Sequence, residues 1–331
     1  MKTKIKDLFR IDKNPRKGLF PFEWVVMAYL VITLLFILFA YTQLKNPESM
    51  IWERVRIVAM TAALWVVYRL IPCKFTVFLR VLPQMGLLAV WYPDTYEINR
   101  ILPNLDHVFA GLDQTVFGFQ PALVFARDFP SILVSELMDM GYGLYYFIIA
   151  LVALYYFLKR YKEFQKCIFI IMASFFLFYV IFDLLPVAGP TFYYKAVGVD
   201  QIAKGVFPSL GDYFNTHTDC LPSPGYRDGL FYQLVESAKA AGERPTAAFP
   251  SSHVGVATLC MMLILHTKNR TFFFSILPVY LFLCFSTVYI QAHYAIDAIA
   301  GFFVGIAFYY ALTYLYPKIS KEKNRRKSSR T

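Results

Sequence analysis

Two histidines and an aspartate stand at the starts of two apolar segments of this chain. His293 and Asp297 lie four residues apart in AHYAIDAIAG, so on a helix their side chains share one face and can hydrogen-bond. Such a carboxylate fixes the imidazole tautomer and leaves the other ring nitrogen free to attack an electrophile. The spacing therefore indicates a nucleophilic histidine with an orienting aspartate.

The second histidine follows a Pro-Ser-Ser sequence. His253 lies in FPSSHVG, where Ser251 and Ser252 lead directly into an apolar segment. Unpaired backbone N–H groups at a helix start, together with serine hydroxyls, can bind an anion, and an imidazole there can protonate a leaving oxygen. A single histidine in a membrane protein is more often a packing residue. The two segments together favour phosphoryl transfer, with both serines as candidate phosphate ligands.

The pair PSSH and H-x3-D resembles the second and third motifs of the type 2 phosphatidic acid phosphatase superfamily. The HY-x2-D form and the second serine are similar to the inositol phosphorylceramide synthase and sphingomyelin synthase branch. The resemblance covers residues 105–316 and implies an all-α membrane enzyme. It implies that His293 is the nucleophile, Asp297 its orienter and His253 the general acid, with Tyr294 as a candidate substrate-binding residue.

Two basic positions of the superfamily's pattern are occupied by other residues here. Thr287 stands at the arginine position of the third motif, and Phe182 and Gly189 stand at the lysine and arginine positions of the first. Arg244 is a candidate replacement ligand for the phosphate, and Asp183 is a candidate substrate contact. A phosphodiester carries one negative charge where a monoester carries close to two, so the missing arginines favour a phosphodiester donor.

The composition is that of a polytopic membrane protein. Apolar residues make up 58% of the 331 residues and the mean hydropathy is +0.48, above the roughly 45–50% apolar content of soluble proteins. We therefore predict an all-α fold with about eight transmembrane helices, six of which form a phosphatidic acid phosphatase-like core. The apolar segments lie near residues 22–41, 55–72, 75–92, 132–158, 167–187, 250–265, 272–291 and 293–316.

The net charge of +11 does not indicate a nucleic-acid partner, because the basic residues concentrate on one side of the predicted topology. With eight spans, both tails and the loops on their side carry 21 basic and 4 acidic residues. The positive-inside rule then places both termini in the cytoplasm. Both histidines would lie at the extracytoplasmic face, and we expect an integral protein of a bacterial inner membrane.

The predicted organisation has three parts. Residues 1–74 hold a basic N-terminus and two helices, residues 75–316 form the six-helix catalytic membrane domain, and residues 317–331 form a basic cytoplasmic tail. Extracytoplasmic loops at 93–130 and 188–249 interrupt the catalytic domain, and the second is long enough to cover a site. The sequence has no Cys/His cluster with metal-ligand spacing, so neither a metal nor another cofactor is expected.

Three functions are compatible with these residues. A lipid phosphotransferase would move a phospho-headgroup, phosphoinositol on the resemblance, from a phospholipid to a lipid hydroxyl through a phosphohistidine. A lipid phosphate phosphatase, of the phosphatidic acid or polyprenyl pyrophosphate type, would use water as the acceptor. A non-enzymatic membrane protein of the same fold is the third. For the transferase, membrane lipids are the expected partners as both donor and acceptor.

Overall fold

A computed structural model describes residues 6–328, except for the side chains of residues 89, 90 and 321–328. Within this range the chain forms helices and no strand, so the predicted all-α class is confirmed. The outermost residues of the two predicted basic tails, 1–5 and 329–331, lie outside the described residues.

The helices are α1 (Pro21–Phe39), α2 (Pro47–Leu70), α3 (Lys74–Gly86), α4 (Leu88–Asn99), α5 (Asp106–Phe117), α6 (Pro121–Asp128), α7 (Ile132–Gly143), α8 (Tyr145–Lys159), α9 (Tyr161–Leu184), α10 (Pro190–Val197), α11 (Val199–Ala203), α12 (Leu230–Gly242), α13 (Ser252–His266), α14 (Arg270–Tyr289) and α15 (Ala295–Ser328).

Side-chain caps mark the starts of three of these helices. Ser131, Ser251 and Asn269 precede α7, α13 and α14, and each side-chain oxygen accepts a hydrogen bond from a backbone N–H of the first turn. Serine and asparagine are favoured at this position because they satisfy one of the free N–H groups of a helix start. Polar residues beside the apolar segments thus set where these helices begin.

Several helices fit an integral membrane protein. Five segments of the described chain are long and apolar enough to span a bilayer: α1, α3 together with α4, α9, α14, and α15 up to Ser320. The α7–α8 pair bends by 49° and makes a sixth if it crosses as one span. All eight predicted segments are helical, but α2 carries five charged side chains and α13 has only 15 residues.

Helix α9 forms the centre of the bundle. From Cys167 to Phe182 its sequence is apolar on nearly all sides, and most of its side chains are buried, as expected for a helix enclosed by neighbours. It packs against α1, α4, α8, α13 and α15. The two apolar segments that carry the histidines therefore assemble around one common helix.

Buried ion pairs join the N-terminal helices. Arg54 on α2 donates to Asp94 on α4 at 2.7 Å, and both side chains are buried. Arg80 on α3 pairs in the same way with Glu23 on α1. Because an isolated charge is costly to bury, these pairs fix α1 and α2 against α3 and α4.

Glycines bring α13 and α15 into close contact. A Cβ atom on Gly301 would lie 2.3 Å from the carbonyl oxygen of Ser251, and one on Gly305 would lie 2.2 Å from that of Gly255. Small residues spaced four apart let two helix backbones approach in this way. Since His253 begins α13 and His293 precedes α15, this contact brings the two histidines together.

Candidate active site

The two predicted histidines face each other across the α13–α15 contact. His253 lies in the first turn of α13, and His293 lies in the turn two residues before α15. The Nε2 atom of His293 is 3.4 Å from the Nδ1 atom of His253, and the ring centroids are 5.5 Å apart. The structure therefore places the imidazoles in direct contact at the wall of one cavity.

A backbone carbonyl determines the protonation of His293. Its Nδ1 atom is 2.7 Å from the carbonyl oxygen of Ala248, and a carbonyl can only accept a hydrogen bond. The proton of the neutral ring is therefore on Nδ1, which leaves Nε2 unprotonated. Burial lowers the pKa of His293 to about 4, against the opposing effect of the Ala248 bond, so the ring is neutral at pH 7.

Asp297 lies beside this imidazole without hydrogen-bonding to it. Its Oδ2 atom is 3.7 Å from Nδ1 of His293 and accepts from the backbone N–H of Tyr294 at 2.9 Å. His293 precedes the helix, so the two residues are not on one helical face as their spacing predicts. Asp297 instead bonds back to the start of α15, as acidic residues in a first turn do. The hydrogen-bonded orienter of His293 is the Ala248 carbonyl.

Two tyrosines hold the ring of His253. Tyr142 stacks on it with centroids 4.6 Å apart and an interplanar angle of 26°, and Tyr145 packs against it at 4.5 Å. These tyrosines flank the bend between α7 and α8 at Leu144, and the Tyr145 hydroxyl donates to the carbonyl of Ser252 at 3.4 Å. The bend thus turns two aromatic rings onto the candidate general acid.

The histidines open into a cavity of about 720 Å³, within the size range of small-molecule sites. Aromatic rings line one part, and four carboxylates with a single lysine line another. Among the described residues, the charged side chains of the lining are Glu53, Asp94, Glu97, Glu243 and Lys239. No arginine of the described chain lines it, although Arg54 pairs with Asp94 and Arg100 with Glu97 from outside the lining.

The two predicted serines have different positions. Ser252 lines the cavity beside His253. Ser251 is fully buried, and its hydroxyl oxygen accepts from the N–H of Val254. The hydroxyl of Tyr294 is also directed elsewhere, because it donates to Asp106 at 2.9 Å. Of these three candidates, the structure brings Ser252 alone to the cavity.

The predicted charged ligands lie away from the lining. The Arg244 side chain is exposed and donates to the carbonyl of Glu243 at 3.0 Å. Asp183 is buried in α9 outside the cavity. Lys239, which was not among the predicted ligands, lines the cavity, and its ammonium is held by Glu236 at 3.1 Å and by neighbouring oxygens. Thr287, at the missing arginine position, is fully buried.

Sequence reasoning missed two aspartates that support the site. Asp106 and Asp113 lie on α5 and are fully buried. Asp106 accepts from the backbone N–H of Gly189 and from the hydroxyl of Tyr294, and Asp113 accepts from the backbone N–H of Ala295. Two acidic residues seven apart in the apolar stretch LDHVFAGLD were the available signal, because they fall on one helical face. Within the described residues, no group of three or more His, Cys, Asp or Glu side chains could hold a metal ion.

Comparison with known proteins gives one match. The family model described as the PAP2 superfamily matches residues 107–311. No curated protein and no solved structure matches significantly. The match covers more than half of the chain and includes both histidine segments, but it begins after α1–α4. Members of this superfamily are phosphatases or phosphotransferases, and this chain belongs to the PAP2 superfamily.

Proposed function

We propose that the protein is an integral-membrane lipid phosphotransferase that moves a phosphoinositol headgroup from a phospholipid to a lipid hydroxyl. The observation that carries the proposal is the unprotonated Nε2 atom of His293, which lies 3.4 Å from Nδ1 of His253. Among the described lysines and arginines, Lys239 is the one that lines their cavity. The imidazole pair supplies nucleophile and acid, and the scarcity of cations favours a singly charged phosphodiester. The likeness to the inositol phosphorylceramide synthase branch adds support.

The reaction consists of two displacements at phosphorus. In the first, Nε2 of His293 forms a bond to phosphorus while the bond from phosphorus to the diacylglycerol oxygen breaks, and His253 in its imidazolium form gives that oxygen a proton and becomes neutral. In the second, the acceptor hydroxyl attacks the phosphohistidine, its proton passes to His253, and the nitrogen–phosphorus bond breaks. The Ala248 carbonyl holds the Nδ1 proton throughout, and the Asp297 carboxyl group lies 3.7 Å from the same nitrogen.

The carboxylates of the cavity support a headgroup rich in hydroxyls. Glu53, Asp94 and Glu97 come from α2 and α4, and Glu243 from the long loop. Asp94 and Glu97 are paired with arginines, so Glu53 and Glu243 are the two without an ion-pair partner among the described side chains. Carboxylates accept hydrogen bonds from hydroxyl groups and repel further negative charge. A polyol phosphodiester is thus favoured over a monoester, for which the two charges would find little compensation in this lining.

We also propose the side of the membrane on which the site lies. The basic residues of the tails and of the loop at Lys159–Lys166 support a cytoplasmic location for both termini. The histidines then lie at the opposite, extracytoplasmic end. Donor and acceptor lipids would reach them from the outer leaflet of that membrane.

The direct test uses purified protein in detergent micelles with radiolabelled phosphatidylinositol and ceramide. We expect the labelled headgroup to appear on ceramide, and we expect His293→Ala to abolish this transfer. Phosphatidic acid is the comparison substrate, and release of free phosphate is followed in the same samples. Phosphate release from phosphatidic acid, without headgroup transfer from phosphatidylinositol, would replace the transferase by a phosphatase.

A matched pair of variants tests the role of the acidic lining. Glu53→Gln removes a charge that lines the cavity, whereas Glu48→Gln removes an exposed charge five residues earlier on the same helix, outside the lining. Loss of one hydrogen bond to a charged group is worth about 1.5–3 kcal/mol, so we expect Glu53→Gln to raise KM for phosphatidylinositol by roughly tenfold or more. Equal KM values for the two variants would contradict the assignment.

A further inference from the structure

Three carboxylates surround the chain at His293, and no lysine or arginine of the described residues is paired with them. Asp106, Asp113 and Asp297 are all fully buried, and the ion pairs of the described side chains include none between them and a lysine or arginine. Backbone N–H groups take the place of cations. A buried carboxylate without a cation needs such donors. Asp106 and Asp113 each accept from two backbone N–H groups, whereas Asp297 accepts from one and its Oδ1 atom has no partner among the described residues.

Asp113 holds the start of the helix that follows His293. Its two oxygens accept from the N–H groups of Ala295 at 2.9 Å and Ile296 at 3.0 Å. With Asp297 bound to Tyr294 N–H, three consecutive N–H groups at this helix start are bonded to carboxylates. Negative charge is also favoured by the partial positive charge there. Burial raises the pKa of Asp113 to about 6, against the effect of its two N–H donors.

Asp106 holds the segment that reaches the other side of the imidazole. It accepts from the N–H groups of Ala188 at 2.7 Å and Gly189 at 2.8 Å. The preceding carbonyl, that of Val187, accepts from Ala248 N–H at 3.0 Å, and the carbonyl of Ala248 receives the Nδ1 proton of His293. Asp106 is thus connected through the backbone to the group that sets the tautomer.

From these two sets of bonds we propose that Asp106 and Asp113 are positioning residues for His293. Asp113 fixes the helix start next to the imidazole, and Asp106 fixes the segment that holds the Ala248 carbonyl against it. Neither residue touches the cavity, so both act through the backbone. This inference rests on the proposed role of His293 as nucleophile. The alternative is that the two aspartates stabilise the fold alone.

The test compares Asp106→Asn and Asp113→Asn with Asp128→Asn, which removes an exposed carboxylate at the end of α6. Asparagine preserves the shape but leaves one acceptor oxygen instead of two. A displacement of about 1 Å at a reacting atom can cost about 10²-fold in rate. We expect kcat, measured per folded molecule, to fall by about 10- to 100-fold in both variants, with KM unchanged and Asp128→Asn unaffected.

Several results would overturn the proposal. The first is an unchanged kcat in folded Asp106→Asn and Asp113→Asn. The second is a fall in kcat that disappears once the rate is divided by the folded fraction. The third is failure of both asparagine variants to fold, which would assign the aspartates to stability. His293→Ala, measured in parallel, separates this inference from the proposed function. An active His293→Ala protein removes the nucleophile itself, whereas an inactive one with fully active aspartate variants removes the positioning role alone.

Discussion

Gly301→Ala tests whether the close contact of α13 and α15 sets the spacing of the histidines. The added Cβ would lie 2.3 Å from the Ser251 carbonyl oxygen, whereas tolerated contacts begin at 3.0–3.4 Å. The Ser251 carbonyl oxygen accepts from Gly255 N–H at 2.9 Å, and Ser251 N–H donates to the backbone carbonyl of Asp297 at 3.0 Å. The clash therefore requires the two helix starts to separate by about 0.7–1.1 Å.

Such a separation acts directly on the 3.4 Å gap between the two imidazoles. A misplacement of about 1 Å costs about 10²-fold in rate, while overpacking of this kind costs about 1–3 kcal/mol in stability. We therefore expect Gly301→Ala to fold and to lose about 100-fold in kcat.

The assay is transfer of labelled headgroup in detergent, together with thermal unfolding of the same samples. Gly111→Ala is the matched control, because a Cβ at this helical glycine would meet no atom within 4 Å. A folded Gly301→Ala protein with a rate within threefold of the wild type would refute the reasoning.

The remaining predictions concern the nucleophile and the topology. Asp297→Asn keeps an acceptor for Tyr294 N–H. Because Asp297 does not hydrogen-bond the imidazole, we expect the rate to fall by less than the roughly 10⁴-fold that loss of a bonded orienter costs; a fall of about 10⁴-fold in the folded variant would contradict this. Burial lowers the pKa of His293 to about 4, so its ring stays neutral at pH 5.5. We therefore expect that kcat/KM does not fall as the pH decreases through about 6.5, the usual pKa of histidine. A fall of kcat/KM near that pH would contradict the burial argument. In intact cells, with Cys220 replaced, we expect a cysteine at Arg227 to react with an impermeant thiol reagent and one at Lys162 not to react. The reverse pattern would place the site in the cytoplasm.

The meeting of the two histidines was predictable from the sequence. Each begins an apolar segment, and a consistent count of spans places both segment starts at the same end of a bundle. The class of the fold followed from hydropathy, because long apolar runs in a membrane protein form helices that satisfy their own backbone. The polarity of α2 and the shortness of α13 show that an apolar run locates a helix more reliably than it defines a full span.

The groups that hold the imidazole could not be predicted. Every residue has a carbonyl, so no sequence pattern marks Ala248 as the partner of His293. This carbonyl follows Ala247, whose φ of +66° is unusual for a residue with a Cβ. Likewise, Asp106 and Asp113 were visible as acidic residues on one helical face, but their partners are backbone N–H groups in distant segments. Contacts of this kind depend on the complete fold.

The long loop leaves and rejoins the bundle at one hydrogen bond, from Ala248 N–H to the Val187 carbonyl at 3.0 Å. Between these residues the chain supplies part of the cavity wall, including Lys239 and Glu243, while both histidines lie outside it. Substitutions near Lys239 and Glu243 can therefore alter the wall without moving the reacting nitrogens, provided that the ends of the loop, where Asp106 holds Ala188 and Gly189, are kept. Selectivity for the headgroup can diverge in this segment while the chemistry is inherited unchanged.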